Sequence, residues 1–330
     1  MIAPRLSVVM SVYNAECHLR RAVESILRQT FGDFEFIIVN DGSTDRSRDI
    51  LAEFETRDPR VNVFDQHNTG LTIALRAGCR AANGEFIARQ DADDWSDPTR
   101  LEKLAKLLDA CPDAVMVSSW ASYIDDEGEL VEIVTRCADP HEATLKLLYE
   151  RSGPPAHGTM MFRRHAYEQV GGYRECFYFG QDADLWLRLG MVGKIAYVQE
   201  SLYEWRVSVK GISAANSDLQ SQFGNLGQQC HVARLRGESE QAFVAQAAQL
   251  RIALLAQKPT RSDTRRQQAA AHYRIGTSLS RRCSSKARQH FLSAVRLNPF
   301  HWRSWCRLFA EYALPRVWSS RNALKAPRSP

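Results

Sequence analysis

The chain has 330 residues, 44% of them hydrophobic and 25% charged, which excludes a disordered, collagenous or low-complexity chain and allows one large domain or two moderate ones. Its net charge of +5 hides an imbalance, because Gln220 to Pro330 holds 19 Lys and Arg against 4 acidic residues, leaving 24 against 34 in residues 1–219. A divalent cation suits the acidic part; a polyanion or an anionic lipid face suits the basic part, unless that part is simply a solvated basic surface.

Leu6 to Val12 (LSVVMSV) is a short apolar run rich in β-branched residues, and it reads as a buried parallel strand ending at Tyr13-Asn14. A helical pattern follows from Cys17 to Gln29, with Leu19, Ala22, Val23, Ile26 and Leu27 on one face. Phe34 to Val39 is a second strand, and the turn Asn40-Asp41-Gly42-Ser43-Thr44-Asp45 leads to a helix through Ile50, Leu51 and Phe54 that Asp45 can cap. Val61 to Phe64 is a third strand. Gly70 to Ala82 is helical, with Gly84 closing it before the strand Glu85 to Arg89. After Pro98 comes a helix carrying Leu101, Leu104, Leu107 and Leu108, then a strand over Ala114 to Ser118 and a hairpin over 120–135 that turns at Asp126-Glu127-Gly128. Pro140 to Tyr149 and Asp182 to Leu189 are helical, with short strands mixed through Gly153 to Arg206. This alternation predicts an α/β fold with a doubly wound, mostly parallel sheet, whose ligands bind beyond the carboxyl ends of the strands.

Beyond about residue 215 helix-compatible runs replace strand signals, so the expected division is an α/β part over 1–215, an all-α region over 216–318 and a disordered tail over 319–330. Ala287, Phe291, Ala294 and Pro299 keep the spacing of the second helix of a tetratricopeptide unit, and Tyr273, Gly276 and Leu279 resemble its first. A single unit cannot bury both its faces, so a lone helical hairpin is expected rather than a repeat array. His301 to Phe309 mixes aromatics with arginines in the manner of an interfacial helix, which points residues 220–318 toward an anionic membrane or a protein partner. No nucleic-acid-binding module is recognisable there, so no nucleic acid is expected as a partner. The eight scattered cysteines contain no C-x-x-C pair, the N-terminus lacks the order of a signal peptide, and no uncharged apolar run is long enough to span a bilayer, which together suggest a cytosolic protein with reduced thiols.

Three acidic constellations carry the chemistry. Asp41, in the turn after the second strand, can accept a hydrogen bond from a base N–H while Gly42 lets the backbone approach a ligand, or it is an acidic turn ahead of a helix. Gln90-Asp91-Ala92-Asp93-Asp94 follows the next strand with three carboxylates that repel one another unless a cation sits among them. In an extended segment Asp91 and Asp93 face the same way, and oxygen ligands of this kind select Mg2+ or Mn2+. Asp182, at the start of a helix anchored by Leu185, Trp186 and Leu189, is either its N-cap or a rigid base for an acceptor hydroxyl.

Taken together, SVVMSVYNAECHLRRAVESILRQT, IIVNDGSTDRS, HNTGL, FIARQDADDWSDPTRLEK and QDADLWLRL resemble, in order and spacing, the family 2 glycosyltransferases of GT-A fold over about residues 5–215. The resemblance implies a GT-A (Rossmann-like) domain and an inverting hexosyl- or N-acetylhexosaminyl-transferase that uses a nucleotide-sugar, commonly a UDP-sugar. It implies that Ser11, Tyr13 and Asp41 line the nucleoside pocket, that Asp91 serves the ribose side and, with Asp93, the metal (Mn2+ or Mg2+), and that Asp182 is the catalytic base. Gln181 stands where many relatives have Glu, on the acceptor side. Pro154 to Thr159 looks like the acceptor-side segment, in which His157 contacts phosphate or acceptor, or is structural. Tyr203 to Arg206, with Lys210 and Ser213, resembles a flexible loop over the donor, where Arg206 and Lys210 neutralise the leaving diphosphate unless they form surface salt bridges. No Q-x-x-R-W motif is present, which implies one sugar added to a glycan or lipid-linked acceptor in cell-surface polysaccharide or lipid-linked glycan synthesis, in the cytoplasm or peripherally on the cytoplasmic face of the inner membrane. The alternative is a non-catalytic nucleotide-sugar-binding scaffold with a partner-docking tail, against which the intact Asp41, Asp91, Asp93 and Asp182 speak.

Overall fold

The structure, a computed structural model, describes residues 3–208, 217–256, 261–282 and 284–313. Lys210, Ser213 and the expected disordered tail from 319 lie outside the described residues. The chain divides into two compact units, one holding the sequence up to Arg206 with Asp218–Lys258, the other holding Val207–Ser217 and Pro259–Pro330.

In the first unit the described strands are β1 (Leu6–Val12), β2 (Phe34–Asp41), β3 (Val61–Gln66), β4 (Phe86–Asp91), β5 (Trp95–Ser96), β6 (Ala114–Ile124), β7 (Leu130–Val134), β8 (Met161–Arg163) and β9 (Lys194–Arg206). They form one sheet in the order β3-β2-β1-β4-β8-β6-β9-β5, with β7 on β6. The doubly wound part is the parallel block β3-β2-β1-β4. Beyond it β8 runs antiparallel to both β4 and β6, β9 is parallel to β6, and β5 is antiparallel to β9. The helices are α1 (Leu19–Leu27), α2 (Ser47–Arg57), α3 (Leu71–Ala81), α4 (Arg100–Ala110), α5 (Pro140–Glu150), α6 (Arg164–Gln169), α7 (Gln181–Leu189), α8 (Ser217–Leu235) and α9 (Gln241–Ala256).

The period-2 alternation of β1 splits its side chains between two cores, as a strand covered on both faces requires. Leu6, Val8 and Met10 meet α1, α2 and α4 through Leu19, Ile26, Leu51, Phe54 and Leu104. Val9 joins the opposite core, where Leu75 of α3, Leu147 of α5 and Leu185 of α7 pack. Phe177 and Phe179 meet Phe223 and Cys230 of α8 and Ala247 of α9 in a separate cluster of the same unit.

Local expectations are corrected at four places. Gly84 does not close α3, which ends at Ala81 with an extended Ala82; instead a Cβ on Gly84 would lie 2.6 Å from the backbone of Leu6 and Ser7, so glycine is needed where the chain passes over β1. Arg46, not Asp45, occupies the cap position of α2; the Asp45 carboxylate accepts from the N–H groups of Ser47 (2.9 Å) and Glu16 (3.0 Å) and so ties this turn to the end of β1. Gly180, at φ 67°, is the N-cap of α7, which removes the capping explanation of Asp182. Tyr203 to Arg206, expected as a flexible loop, is the end of β9 and pairs with both β5 and β6.

The second unit contains α10 (Arg261–Arg281), α11 (Ala287–Leu297) and α12 (Trp302–Ala313). The tetratricopeptide-like spacing makes a helical hairpin: Tyr273 and Phe291 lie 6.0 Å apart between ring centres, and a Cβ on Gly276 would stand 3.0 Å from the Phe291 ring. Among the described residues no helix is long and apolar enough to cross a membrane.

Candidate active site

The carboxyl ends of β1, β2 and β4 lie side by side. Ser11 is in register with Val39 of β2 on one side and with Asp91 of β4 on the other, so Tyr13, Asp41 and the acidic run all emerge along one margin of the sheet.

At the end formed by β1 to β3 the polar groups are already satisfied. Asp41 is 2% exposed, and its Oδ1 accepts from Gln66 Nε2 (2.7 Å), Thr69 N (2.9 Å) and Thr69 Oγ1 (3.2 Å), while Oδ2 accepts from Gly70 N (2.9 Å). The carboxylate therefore holds the turn that starts α3, and Oδ2 keeps a lone pair for a further donor. Gly70 takes φ 93°, and a Cβ there would stand 2.8 Å from the Tyr178 ring. Asn14, itself at φ 49°, accepts from Thr44 N (2.7 Å) and donates its N–H to Ser43 Oγ (3.1 Å), latching the two loops together. Tyr13 projects outward, 51% exposed.

The end formed by β4 is electrically unfinished. Asp94 is buried, accepts from Arg206 N at 2.8 Å through Oδ1, and leaves Oδ2 without a hydrogen-bond partner. Burial, then the charges of Asp93 and Asp91, push its carboxyl well above the usual range. Asp93 reaches solvent from a crowded rim; desolvation first and Asp91 second raise it to about 6. The Arg206 charge opposes the rise at Asp93, while Arg89, fully buried, donates Nη2–H to Asp91 Oδ1 (2.7 Å) and Nη1–H to the Val9 carbonyl (2.5 Å). Tyr203 presents its hydroxyl to the Asp91 N–H at 3.2 Å. Among the described residues no three acidic, His or Cys side chains are grouped so as to hold a metal ion; what the run does offer is hard oxygen donors crowded together, the donor type that Mg2+ and Mn2+ take.

Helix α7 brings in two carboxylates with opposite surroundings. Asp184 is fully buried and ion-paired to Arg174 and to Arg188, the latter at 2.7 Å. Asp182, partly open, accepts the adjacent Ala183 N–H (2.8 Å), and burial, reinforced by the Asp91 charge, raises its pKa against a lowering by Arg89. Gln181 beside it is buried. The loop into α7 also carries Tyr178, packed on Gly70 and pushed up in pKa by burial and then by the charge of Asp41, so one short segment joins the Asp41 end to Asp182.

His157 pairs its Nε2 with the Tyr173 hydroxyl (2.6 Å) and stands edge-on to Trp186; burial, then Arg89, hold it neutral, well below the ordinary imidazole range. Arg206 is buried, with Nη1 donating to the carbonyls of Asp125 (3.1 Å) and Asp126 (3.2 Å) and Nε to that of Asp93 (3.4 Å). It braces the hairpin turn against the acidic run. Two recesses elsewhere, of about 360 Å3 around Arg136, Lys146 and Tyr197 and about 430 Å3 around Arg5, Asp33 and Glu85, include none of the aspartates discussed.

Ser11, Asp91, Asp93, Asp182 and Arg206 are thus brought to one electrostatic neighbourhood, with Asp41 and Tyr13 along the same margin and His157 behind it. Sequence reasoning missed Arg89, Tyr178 and the part played by Tyr203. The one signal for Arg89 was a cation inside an otherwise apolar strand, FIAR, since such a residue is buried only when paired.

The sequence profile of Glycosyl transferase family 2 matches residues 7–171. The putative glycosyltransferase EpsH of Bacillus subtilis is 31% identical over 227 residues, covering 64% of this chain and 63% of that protein. The putative glycosyltransferase EpsE of the same organism is 33% identical over 209 residues, covering 62% and 73%. The chain therefore spans somewhat less than two thirds of the first of these relatives. Among solved structures, residues 1–349 of S. aureus TarS in complex with UDP superpose with a TM-score of 0.56 at 16% identity, covering 95% of this chain and 93% of that one. The mannosyltransferase PcManGT from Pyrobaculum calidifontis, in complex with GDP-Man and Mn2+, gives a TM-score of 0.54 at 18% identity, covering 97% and 89%. On this sequence match and this fold, the chain belongs to glycosyl transferase family 2 and has the GT-A type of α/β architecture.

Proposed function

We propose that this chain transfers a single hexosyl or N-acetylhexosaminyl unit, with inversion, from a UDP-sugar to a hydroxyl of a glycan or lipid-linked acceptor in cell-surface polysaccharide synthesis. The observation that carries the reading is Asp182: a partly open carboxylate with few partners of its own, set on a rigid helix and raised in pKa beside Asp91. A carboxylate of that kind accepts the proton of an acceptor hydroxyl as the oxygen attacks the anomeric carbon. Arg89 holds the Asp91 side chain, and its charge opposes the rise that burial and Asp91 impose on the pKa of Asp182. Ser11, Tyr13 and Asp41 receive the nucleoside, with the spare lone pair of Asp41 Oδ2 available to a base N–H. Neutral His157 orients the segment 153–159 through Tyr173 instead of pairing with phosphate, and Gln181, buried next to Asp182, serves the acceptor side. Arg206 offsets donor charge from behind the acidic run, and Lys210 extends the same role.

Asp93 and Asp91 would hold Mn2+ or Mg2+, which when bound supplies positive charge for the departing diphosphate. The relatives' names support a sugar transferase, and the ligands of the solved neighbours support a nucleotide-sugar donor and a divalent metal, since TarS was solved with UDP-GlcNAc and PcManGT with GDP-Man and Mn2+. We place the enzyme in the cytoplasm, peripherally on an anionic membrane face through its basic region, where a lipid-linked acceptor is found. Calorimetric titration of a panel of UDP- and GDP-sugars with and without Mn2+ tests the reading. One UDP-sugar is expected to bind only with the metal; if no nucleotide-sugar binds in either condition, the proposal fails.

A further inference from the structure

The outer face of α12 is the largest exposed apolar feature described in the second unit. Phe300, Trp302, Trp305 and Phe309 are 91%, 66%, 52% and 76% exposed, whereas Ser304 and Leu308, on the opposite side of the same helix, are buried. Positions 302, 305 and 309 fall on one stripe of an α-helix, so the three rings form a continuous aromatic ridge. The ridge is not a loosely placed end. Trp305 Nε1 donates to the Pro299 carbonyl (2.8 Å), His301 Nδ1 and Ser304 Oγ lie 2.9 Å apart, and the Arg303 guanidinium stands 5.5 Å from the Trp302 ring centre. A ridge of this size on a soluble surface marks a contact.

Charge selects the occupant. Residues 261–313 contain eleven Lys and Arg against two acidic residues, and Arg303 stands beside the ridge against the Trp302 ring. A protein groove would have to supply both a long apolar trough and a strongly acidic rim. An anionic bilayer supplies apolar depth and negative charge together, and Trp, Phe and Arg are the side chains that suit its interface. We infer that α12 is a membrane-insertion element, laying Trp302, Trp305 and Phe309 into the acyl boundary of an anionic lipid surface with Arg303 at the headgroups. The inference rests on the transferase reading only for its purpose, delivery of the active site to a lipid-borne acceptor; lipid binding stands or falls separately.

The test is flotation of the full chain with vesicles of equal parts phosphatidylglycerol and phosphatidylcholine, beside vesicles of phosphatidylcholine alone. The wild-type chain is expected to float with the anionic vesicles, with a blue shift in tryptophan emission, and to remain behind with the neutral ones. The triple variant Trp302→Ser, Trp305→Ser, Phe309→Ser should keep its circular dichroism and its binding of nucleotide-sugar while partitioning at least about tenfold more weakly. Arg303→Gln should weaken binding less, and most at low salt. Equal flotation of wild type and triple variant overturns the inference, as does absence of flotation. So does a wild-type dimer that the triple variant abolishes, because the ridge would then be covered by a second copy.

Discussion

The two ends of the catalytic margin spend their carboxylates differently. At the β2 end Asp41 makes four hydrogen bonds inside the protein and fixes the start of α3. At the β4 end Asp93 and Asp94 are crowded and raised in pKa, and one oxygen of Asp94 has no hydrogen-bond partner. The first end is a finished surface, suited to recognising a neutral, shaped group such as a nucleoside base, because no charge there seeks compensation. The second stores repulsion that only an incoming cation or a proton relieves. The same contrast recurs within α7, where Asp184 is neutralised by two arginines and Asp182, two residues earlier, is left with work to do.

That contrast is broken most decisively at Asp182. Asp182→Asn should lower turnover by about 10²- to 10⁴-fold while leaving nucleotide-sugar affinity within a few fold, measured by transfer assay and calorimetry in parallel. Turnover at the native rate would move Asp182 into the satisfied class and remove the base. Asp184→Asn should do the reverse. It leaves Arg188 without its carboxylate and Arg174 with Glu240 alone, and equilibrium denaturation should show a loss of about 3 kcal/mol, with whatever folded protein remains still binding donor. A small stability change there would mean that the arginines find other partners easily.

The smallest effect belongs to His157. Its folded-state pKa is lowered by burial, so in the unfolded chain it takes up a proton near its ordinary value of about 6.5 that the native state refuses. Stability from this group is therefore complete above that pH and declines as the pH falls below it. His157→Gln should flatten the fall in stability between neutral and mildly acid pH by at most about 1.4 kcal/mol per pH unit. An unchanged slope would show that His157 takes up its proton in the native state as readily as in the unfolded chain, and so is able to meet a phosphate.

Much of the first ninety residues could be read in advance, because β-branched runs, helical apolar faces and Asp-Gly turns are signals carried by neighbours in sequence. The helical hairpin of the second unit was legible for the same reason, from the placing of Gly276 opposite Phe291. Gly84 misled because helix closure and close backbone passage both ask for glycine, and only the neighbour, here Leu6, tells them apart. Tyr203 to Arg206 misled because a polar-aromatic tetrapeptide carries no mark of the strand it will pair with.

The alternation of strands with helices, and the acidic clusters at strand ends, were written into short stretches of chain and needed nothing else to be found. Which carboxylate is spent and which is spared came from partners far away along the chain. Gly70 reaches Asp41 across 29 positions, Arg206 reaches Asp94 across 112, and Arg89 faces Asp182 from another element altogether. A residue's chemistry follows from its local field and hydration, and those are properties of the folded neighbourhood, which only the packing of β4, β9 and α7 around one another brings into being.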